Sequence, residues 1–307
     1  MAVVFERIAI IGAGLIGVSI ARGAIEFGAS SSVAFFDADE SVRKRVHALE
    51  LGETFDEAAR AVADADLVVL AVPVGAMSAA AAAIAPALKH GAVVTDTGSV
   101  KGAVIAAVSP HMPEHVVFVP GHPLAGTEHS GPEAGFATLF KGRWQILTPL
   151  DDTAEGKQAV IDLGEFWEQL GAHVDVMDPE RHDVVLAVTS HLPHLIAFNI
   201  VAMAEDLESV TESEVVKYSA SGFRDFTRIA ASDPTMWRDV FLNNRDAVLE
   251  VLGRFSEDLA ALQRAIRWGE GDTLYDLFDR ARRMRREVID AGQDTPAPNW
   301  GRDEPSS

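Results

Sequence analysis

"RIAIIGAGLIGVSIARGAIEFG", residues 7–28, decides the fold. A short β-branched apolar run ends in glycines, and a helix-periodic stretch follows that closes on Gly28. Gly12, Gly14 and Gly17 fall at the strand-to-helix junction. Gly12 allows the tight turn, Gly14 lets the backbone approach a pyrophosphate, and Gly17 permits close packing of helix on strand. Leu15 and Ile16 open the helix, whose first N–H groups and positive dipole end suit phosphate. The next strand, "SVAFFDAD" (32–39), carries Asp37 at its end, about 20 residues beyond the last glycine. An acid there hydrogen-bonds the ribose hydroxyls of an adenosine and repels a 2′-phosphate. The expected cofactor is therefore NAD, held by Gly12, Gly14, Leu15, Ile16, Gly17 and Asp37, with Val72 and Pro73 closing the third strand. Arg43 and Lys44 are close in sequence, so NADP is disfavoured rather than excluded. FAD fits less well, because the pattern stops being α/β after one such domain.

Working outward, "DLVVLAVPV" (66–74), "GAVVTDTGSVKG" (91–102) and "HVVFVPGHPLAG" (115–126) give further apolar strands ending in polar or Gly-rich loops. Uninterrupted apolar strands separated by helices predict a buried, mainly parallel sheet. "RWQILTPL" (143–150) and "AHVDVMD" (172–178), with a helix over 154–170 between them, extend that domain. Beyond Asp178 strand signals vanish. Amphipathic helical stretches such as "DAVLEVLGRFSEDLAALQRAI" (246–266) and "LYDLFDRARRMRREVIDAG" (274–292) remain. The expected organisation is a dinucleotide-binding α/β domain over 1–178, an all-helical domain over 179–293, and a Pro-rich disordered tail over 294–307.

The chain has 307 residues, 48% of them hydrophobic, and a formal net charge of −20. That charge repels nucleic acid and anionic membranes, so neither is an expected partner. It also means that an anionic substrate needs a local basic site. There is no cysteine, which excludes disulfides, thiolate zinc sites and iron–sulfur clusters and fits a cytoplasmic protein. The N-terminal apolar run reads as a strand, not a secretory signal. No stretch reads as a charge-free membrane span, since the Ala-rich run 76–88 is too short.

Ligands of doubly wound sheets bind at the carboxyl ends of the strands. The loops "DTGSVK" (96–101) and "GHPLAGTEHSG" (121–131) lie there. The second holds His122, Glu128 and His129, and a histidine at a strand end is a natural general base for an alcohol being oxidised. Read alone, His122 serves equally well as a polar loop residue bonded to backbone. "SASGFRDFTRIAASDPTMWRD" (219–239) brings Arg224, Arg228 and Arg238, candidates for the local basic site because the guanidinium fork matches carboxylates; paired surface charges are the plainer alternative. In "SHLPH" (190–194), His191 and His194 share one face of a helix. The pair alone leaves open a metal site, a catalytic site or two ordinary histidines at an expected helix start, with His182 and Asp183 as the nearest additional ligands. Pro193 is tolerated in a first turn, and His191 reads as packed or capping.

Together, "GAGLIGVS", "DTGSVK", "GHPLAGTEHSG", "TSHLPH" and "GFRDFTRIAASDPTMW" resemble the prephenate/arogenate dehydrogenase family of tyrosine biosynthesis, in order, over roughly residues 5–290. The first motif is common among dehydrogenases; the last three are specific. The resemblance leaves no length in this chain for an added chorismate mutase or ACT domain. It implies oxidative decarboxylation of prephenate, arogenate or both, with NAD as acceptor and no metal. It implies that His122 is the acceptor for the ring hydroxyl and that Ser99 is a partner of that hydroxyl and of the histidine. Arg228 and His194 would bind substrate, and Glu128, with Thr127 beside it, would order or gate the site. Asp225 and Trp237 match positions that can approach the cleft from a neighbouring subunit of a homodimer formed by the helical domain. Two other readings share the fingerprint: a different two-domain dehydrogenase, and a non-catalytic dinucleotide sensor. The first is not expected to bring both "GHPLAGTE" and "GFRDFTRIA", and the second has no use for His122 together with Arg228.

Overall fold

The computed structural model describes residues 2–127, 129–211 and 220–290; Glu128 and the tail expected at 294–307 lie outside the described residues. The N-terminal half is built on a six-stranded, all-parallel sheet of β1 (Phe5–Ile11), β2 (Ser30–Phe36), β3 (Glu53–Thr54), β4 (Leu67–Leu70), β5 (Val93–Asp96) and β6 (Val117–Phe118). Its order is β3-β2-β1-β4-β5-β6. The order reverses between β1 and β4, which pair Ile8 with Leu67 through Ile11 with Leu70. That switch point opens a crevice at the strand ends.

The central strands read as apolar runs because both of their faces are covered. On one face, α1 (Leu15–Glu26) and α6 (Ala154–Gln169) pack with Ile8, Ile10, Val18, Phe166 and Trp167. On the other, α3 (Ala58–Val62), α4 (Met77–Ile84) and α5 (Lys101–Val108) bury Ala61, Met77, Ile84 and Val104 against Val68, Leu70 and Val94. A further helix, α2 (Glu40–Ala48), follows β2 and is capped by the Asp39 carboxylate accepting from the Ser41 N–H.

Two features depart from the sequence reading. First, the later strands read as part of the same domain, β7 (Gly121–Pro123), β8 (Trp144–Leu147) and β9 (His173–Val176), form a three-stranded sheet of their own. β7 runs antiparallel to β8, pairing His122 with Ile146. His122 therefore sits in a buried strand and not in a loop. Second, "SHLPH" is not a helix start. α7 (Pro179–Leu186) runs through a π turn at Ala187–His191 into α8 (Leu192–Thr211). A π turn widens the helix just ahead of Pro193, which has no N–H to return to the preceding turn. The run Pro179–Asp206 is long and apolar enough to cross a membrane by length and composition alone. The charged turn at 180–183 hid this in the sequence. Its His182, His191 and Leu186 are buried within the protein.

The helical half continues with α9 (Ser221–Thr227), α10 (Pro234–Asn243), α11 (Arg245–Trp268) and α12 (Gly271–Asp290). Asp233 caps α10 by accepting from the Met236 N–H, and Gly269 ends α11 in the left-handed conformation.

The three fingerprint glycines differ physically. Gly12 has φ +100°, and a Cβ on it would lie 2.4 Å from the Ala71 carbonyl oxygen. A Cβ on Gly17 would lie 2.1 Å from the Gly12 oxygen, whereas one on Gly14 would meet nothing within 4 Å. Gly17→Ala is expected to destabilise the fold by roughly 1–3 kcal/mol, the usual cost of overpacking. Gly14→Ala is expected to leave the melting temperature unchanged. Thermal unfolding of both variants checks the contrast.

Candidate functional site

The crevice at the switch point fits a dinucleotide. α1 begins at Leu15 with Gly14 as its N-cap and no side-chain cap among the described residues, and the first N–H groups of a helix have no partner within it. A Cβ on Gly14 would meet nothing within 4 Å, so the backbone there is open to close approach. The Asp37 carboxylate bends back over the turn: Oδ2 accepts from the Ala13 N–H at 2.8 Å and Oδ1 from the Asp39 N–H at 2.9 Å. Arg43 lies beside it, but its Nη1 is committed to the carbonyls of Asp37 and Ala38 at 2.7 and 3.1 Å. Val72 adjoins the Gly12 turn from the end of β4, and Pro73 follows it, exposed. The residues expected to bind cofactor are thus gathered along one sheet edge.

The next loop is organised by a buried ion pair. Lys101 and Asp96 are both fully buried, with Nζ 2.5 Å from Oδ2. Two ions are tolerable at such depth only when each has several partners. Asp96 also accepts the N–H groups of Gly98 (2.7 Å) and Gly121 (3.0 Å), and Lys101 Nζ also donates to the Gly121 carbonyl. Burial lowers the Lys101 ammonium from its ordinary range, and the Asp96 charge opposes that shift. The pair fixes both backbone groups of the residue preceding His122. A Cβ on Gly121 would lie 2.6 Å from Gln145 Nε2 and 3.2 Å from the Asp96 carbonyl oxygen, so a larger residue there would have to push the Gln145 amide aside. Ser99 lies in this same β5–α5 segment, and its hydroxyl has no hydrogen bond among the described residues.

His122 is 9% exposed. Its Nδ1 lies 2.9 Å from His182 Nε2, so its Nε2 is the nitrogen left over. Burial, followed by the nearby His182, Lys101 and His191, holds its pKa well below 6.5. That direction favours the uncharged imidazole, which keeps one ring nitrogen lone pair as an acceptor. His182 Nδ1 in turn lies 2.8 Å from Asp183 Oδ1. The residues weighed as extra metal ligands are therefore bonded to each other and to His122.

In the helical half, His194 stacks on Trp237 with ring centroids 3.7 Å apart, and its Nδ1 donates to the Ser190 carbonyl at 2.8 Å. Burial lowers its pKa; the Ser190 carbonyl opposes the shift and the positive charge of Arg228 adds to it, which places that guanidinium in the neighbourhood. Arg228 itself is exposed and begins the 3-10 turn Arg228–Ala231. Trp237, expected to be able to approach from a neighbouring subunit, is committed within its own chain: it is buried with Val100 and Val240. Asp225 is exposed on α9. Thr127 Oγ1 accepts from the His129 N–H, and Glu128 lies outside the described residues. His191 is a packing residue: Asn244 Nδ2 donates to its Nδ1 at 3.0 Å and to the Asp183 carbonyl at 2.9 Å, tying α11 to the π turn.

Comparison with known proteins follows the same division. Residues 20–176 match the family model for the prephenate dehydrogenase nucleotide-binding domain, and residues 178–280 match that for the prephenate dehydrogenase dimerization domain. The chain is 46% identical to a cyclohexadienyl dehydrogenase of Zymomonas mobilis, over 92% of this chain and 96% of that one. It is 33% identical to a prephenate dehydrogenase of Bacillus subtilis, over 91% and 75%. Prephenate dehydrogenase from A. aeolicus, solved with hydroxyphenyl propionate and NAD+, superposes with TM-score 0.84 at 33% identity, covering 92% of this chain and 98% of that one.

Burial lowers the pKa of His191 to about 4. Its unfolded value is near 6.5, so between those limits the unfolded chain binds the extra proton and stability falls as pH falls. His122 and His194 shift in the same direction. Urea denaturation is expected to show stability dropping from about pH 6.5 to about pH 4.5, with His191→Gln giving a shallower slope over that window.

Proposed function

The chain belongs to the prephenate dehydrogenase family, and on that premise we propose that it is a cytoplasmic, NAD-dependent prephenate dehydrogenase. In the proposed reaction NAD, held by the cradle, would supply the hydride acceptor; the hydroxyl-bearing ring carbon would lose hydride, the ring carboxylate would leave as carbon dioxide, and 4-hydroxyphenylpyruvate would be formed. The observation that carries this reading is the buried His122, with Nδ1 engaged and Nε2 unpartnered among the described residues, on a strand tied through Gly121 to Asp96 at the end of β5 in the sheet that carries the dinucleotide cradle.

In this reading His122 Nε2 accepts the hydroxyl proton as the ring carbon is oxidised. The neighbouring Ser99 hydroxyl hydrogen-bonds the same oxygen and helps orient it. Arg228 and His194 receive the substrate carboxylates, answering the need for a basic site in a chain of net charge −20. Trp237 fixes the His194 ring by stacking. Thr127 and Glu128 border the substrate from the segment after β7, and Asp225 borders it from α9. Gly12, Gly14, Leu15, Ile16, Gly17, Val72 and Pro73 cradle the dinucleotide, and Asp37 holds the adenosine ribose and repels a 2′-phosphate. The proposed division is a cofactor domain over 1–178 and a substrate and dimerisation domain over 179–293. Apolar side chains left exposed on α11 and α12, including Trp268 and Tyr275 at 72% and 70%, support a homodimer through the helical half.

A second reading, that arogenate is also a substrate, is favoured by the similarity to a protein named cyclohexadienyl dehydrogenase. The two substrates differ only in a keto-acid or amino-acid side chain. Purified protein mixed with NAD and either substrate, followed by absorbance of the reduced nicotinamide, decides between them. Turnover with prephenate is expected, and NADP should support it poorly. Replacing Asp37 with Ser should narrow the gap between NAD and NADP. Reduction with neither substrate, despite measurable NAD binding, would contradict the reading.

A further inference from the structure

Four groups stand in line behind His122. His182 Nε2 is 2.9 Å from His122 Nδ1, and Asp183 Oδ1 is 2.8 Å from His182 Nδ1. Behind the carboxylate, Oδ1 accepts the Lys101 N–H at 2.7 Å and Oδ2 accepts the Gly102 N–H at 2.9 Å. These are the first N–H groups of α5, which lack partners within their own helix. A backbone N–H can only donate, so both oxygens of Asp183 are acceptors there. The same two bonds, with the protonated His182 side, hold the carboxyl below its ordinary pKa even though burial pushes it up. Asp183 is thus a carboxylate with nothing to donate.

Direction then propagates along the line. His182 must present N–H to Asp183 from Nδ1. His182 is wholly buried, and a neutral imidazole carries a single N–H, which the carboxylate takes at Nδ1. Its Nε2 therefore carries a lone pair and accepts from His122 Nδ1–H. That leaves the lone pair of His122 on Nε2.

We infer that His182 and Asp183 form a positioning dyad, which holds His122 in the one tautomer whose free lone pair can accept the substrate hydroxyl proton. The inference rests on the reading of His122 as the base. Neither member touches substrate in this account; both act through His122. The dyad also crosses the two halves of the protein. His182 and Asp183 lie on α7, the first helix of the helical half, whereas His122 and the α5 donors belong to the sheet half. Seating α7 against α5 is therefore what selects the tautomer of the base.

The test is the tautomer itself, read by nitrogen NMR of the full-length protein labelled with 15N-histidine at neutral pH, with the His122 signals identified by their loss in His122→Asn. In the unsubstituted protein the proton is expected on Nδ1 of His122; finding it on Nε2 overturns the dyad without any further variant. His182→Leu removes the acceptor, so the proton should move to Nε2 and kcat should fall at least about 100-fold, with KM changed far less. His182→Gln restores an acceptor and should recover the Nδ1 proton and much of the lost turnover. Asp183→Asn, in which one oxygen becomes a donor, should resemble His182→Leu. An unchanged tautomer and unchanged kcat in His182→Leu would overturn the dyad. A tautomer that moves while kcat does not would instead overturn the assignment of His122 as base, and with it the role of the dyad, while leaving the hydrogen-bond chain intact.

Discussion

Lys101 and Asp96 form an ion pair with no exposure to water on either side. Such a pair adds little net stability over apolar packing, but breaking it leaves a stranded charge. Its value here is directional. Through Nζ, Lys101 holds Asp96 and the Gly121 carbonyl, and so fixes the strand that presents His122. Through its backbone N–H it holds Asp183, at the other end of the line that reaches the same histidine. One residue thereby anchors the imidazole from its own backbone and from behind its ring. The same residue thus touches both halves of the protein, through Asp96 and Gly121 on one side and Asp183 on the other.

The division of labour between the two halves follows from their chemistry. The parallel sheet supplies oriented N–H groups, a glycine turn without side-chain obstruction and one carboxylate, which are the requirements of a dinucleotide. The helical half supplies imidazoles, an arginine and a stacking tryptophan, which suit an anionic ring compound in a chain of strongly negative charge. Neither half holds both sets.

Much of this was legible in the sequence, and for physical reasons. Buried parallel strands must be apolar throughout, so β1, β2, β4 and β5 announced themselves; the helix expected over 154–170 appears as Ala154–Gln169. The glycines and Asp37 are tied to one local geometry and could be read from spacing. What escaped depends on distant partners. His122 looked like a loop residue because its pairing partner, Ile146, lies on a strand far along the chain. The π turn at Ala187–His191 leaves no periodic trace in so short a segment. His182 and Asp183 drew notice only as stray ligands, because their bonds to His122, Lys101 and Gly102 join elements from both halves. The one available signal was the adjacency of a histidine and an acid at the start of the first long helix after the sheet.

The central claim is that His122 takes the proton from the ring hydroxyl while the rest of the crevice only binds and orients. Its most direct test is steady-state turnover of His122→Asn with prephenate and NAD, alongside a titration of NAD binding. The account predicts that kcat falls by about 10²- to 10⁴-fold, the usual contribution of a general base, while NAD affinity stays within about twofold because the imidazole lies outside the cradle at Gly14 and Asp37. Turnover within a few fold of the unsubstituted protein, with NAD bound as before, would contradict it.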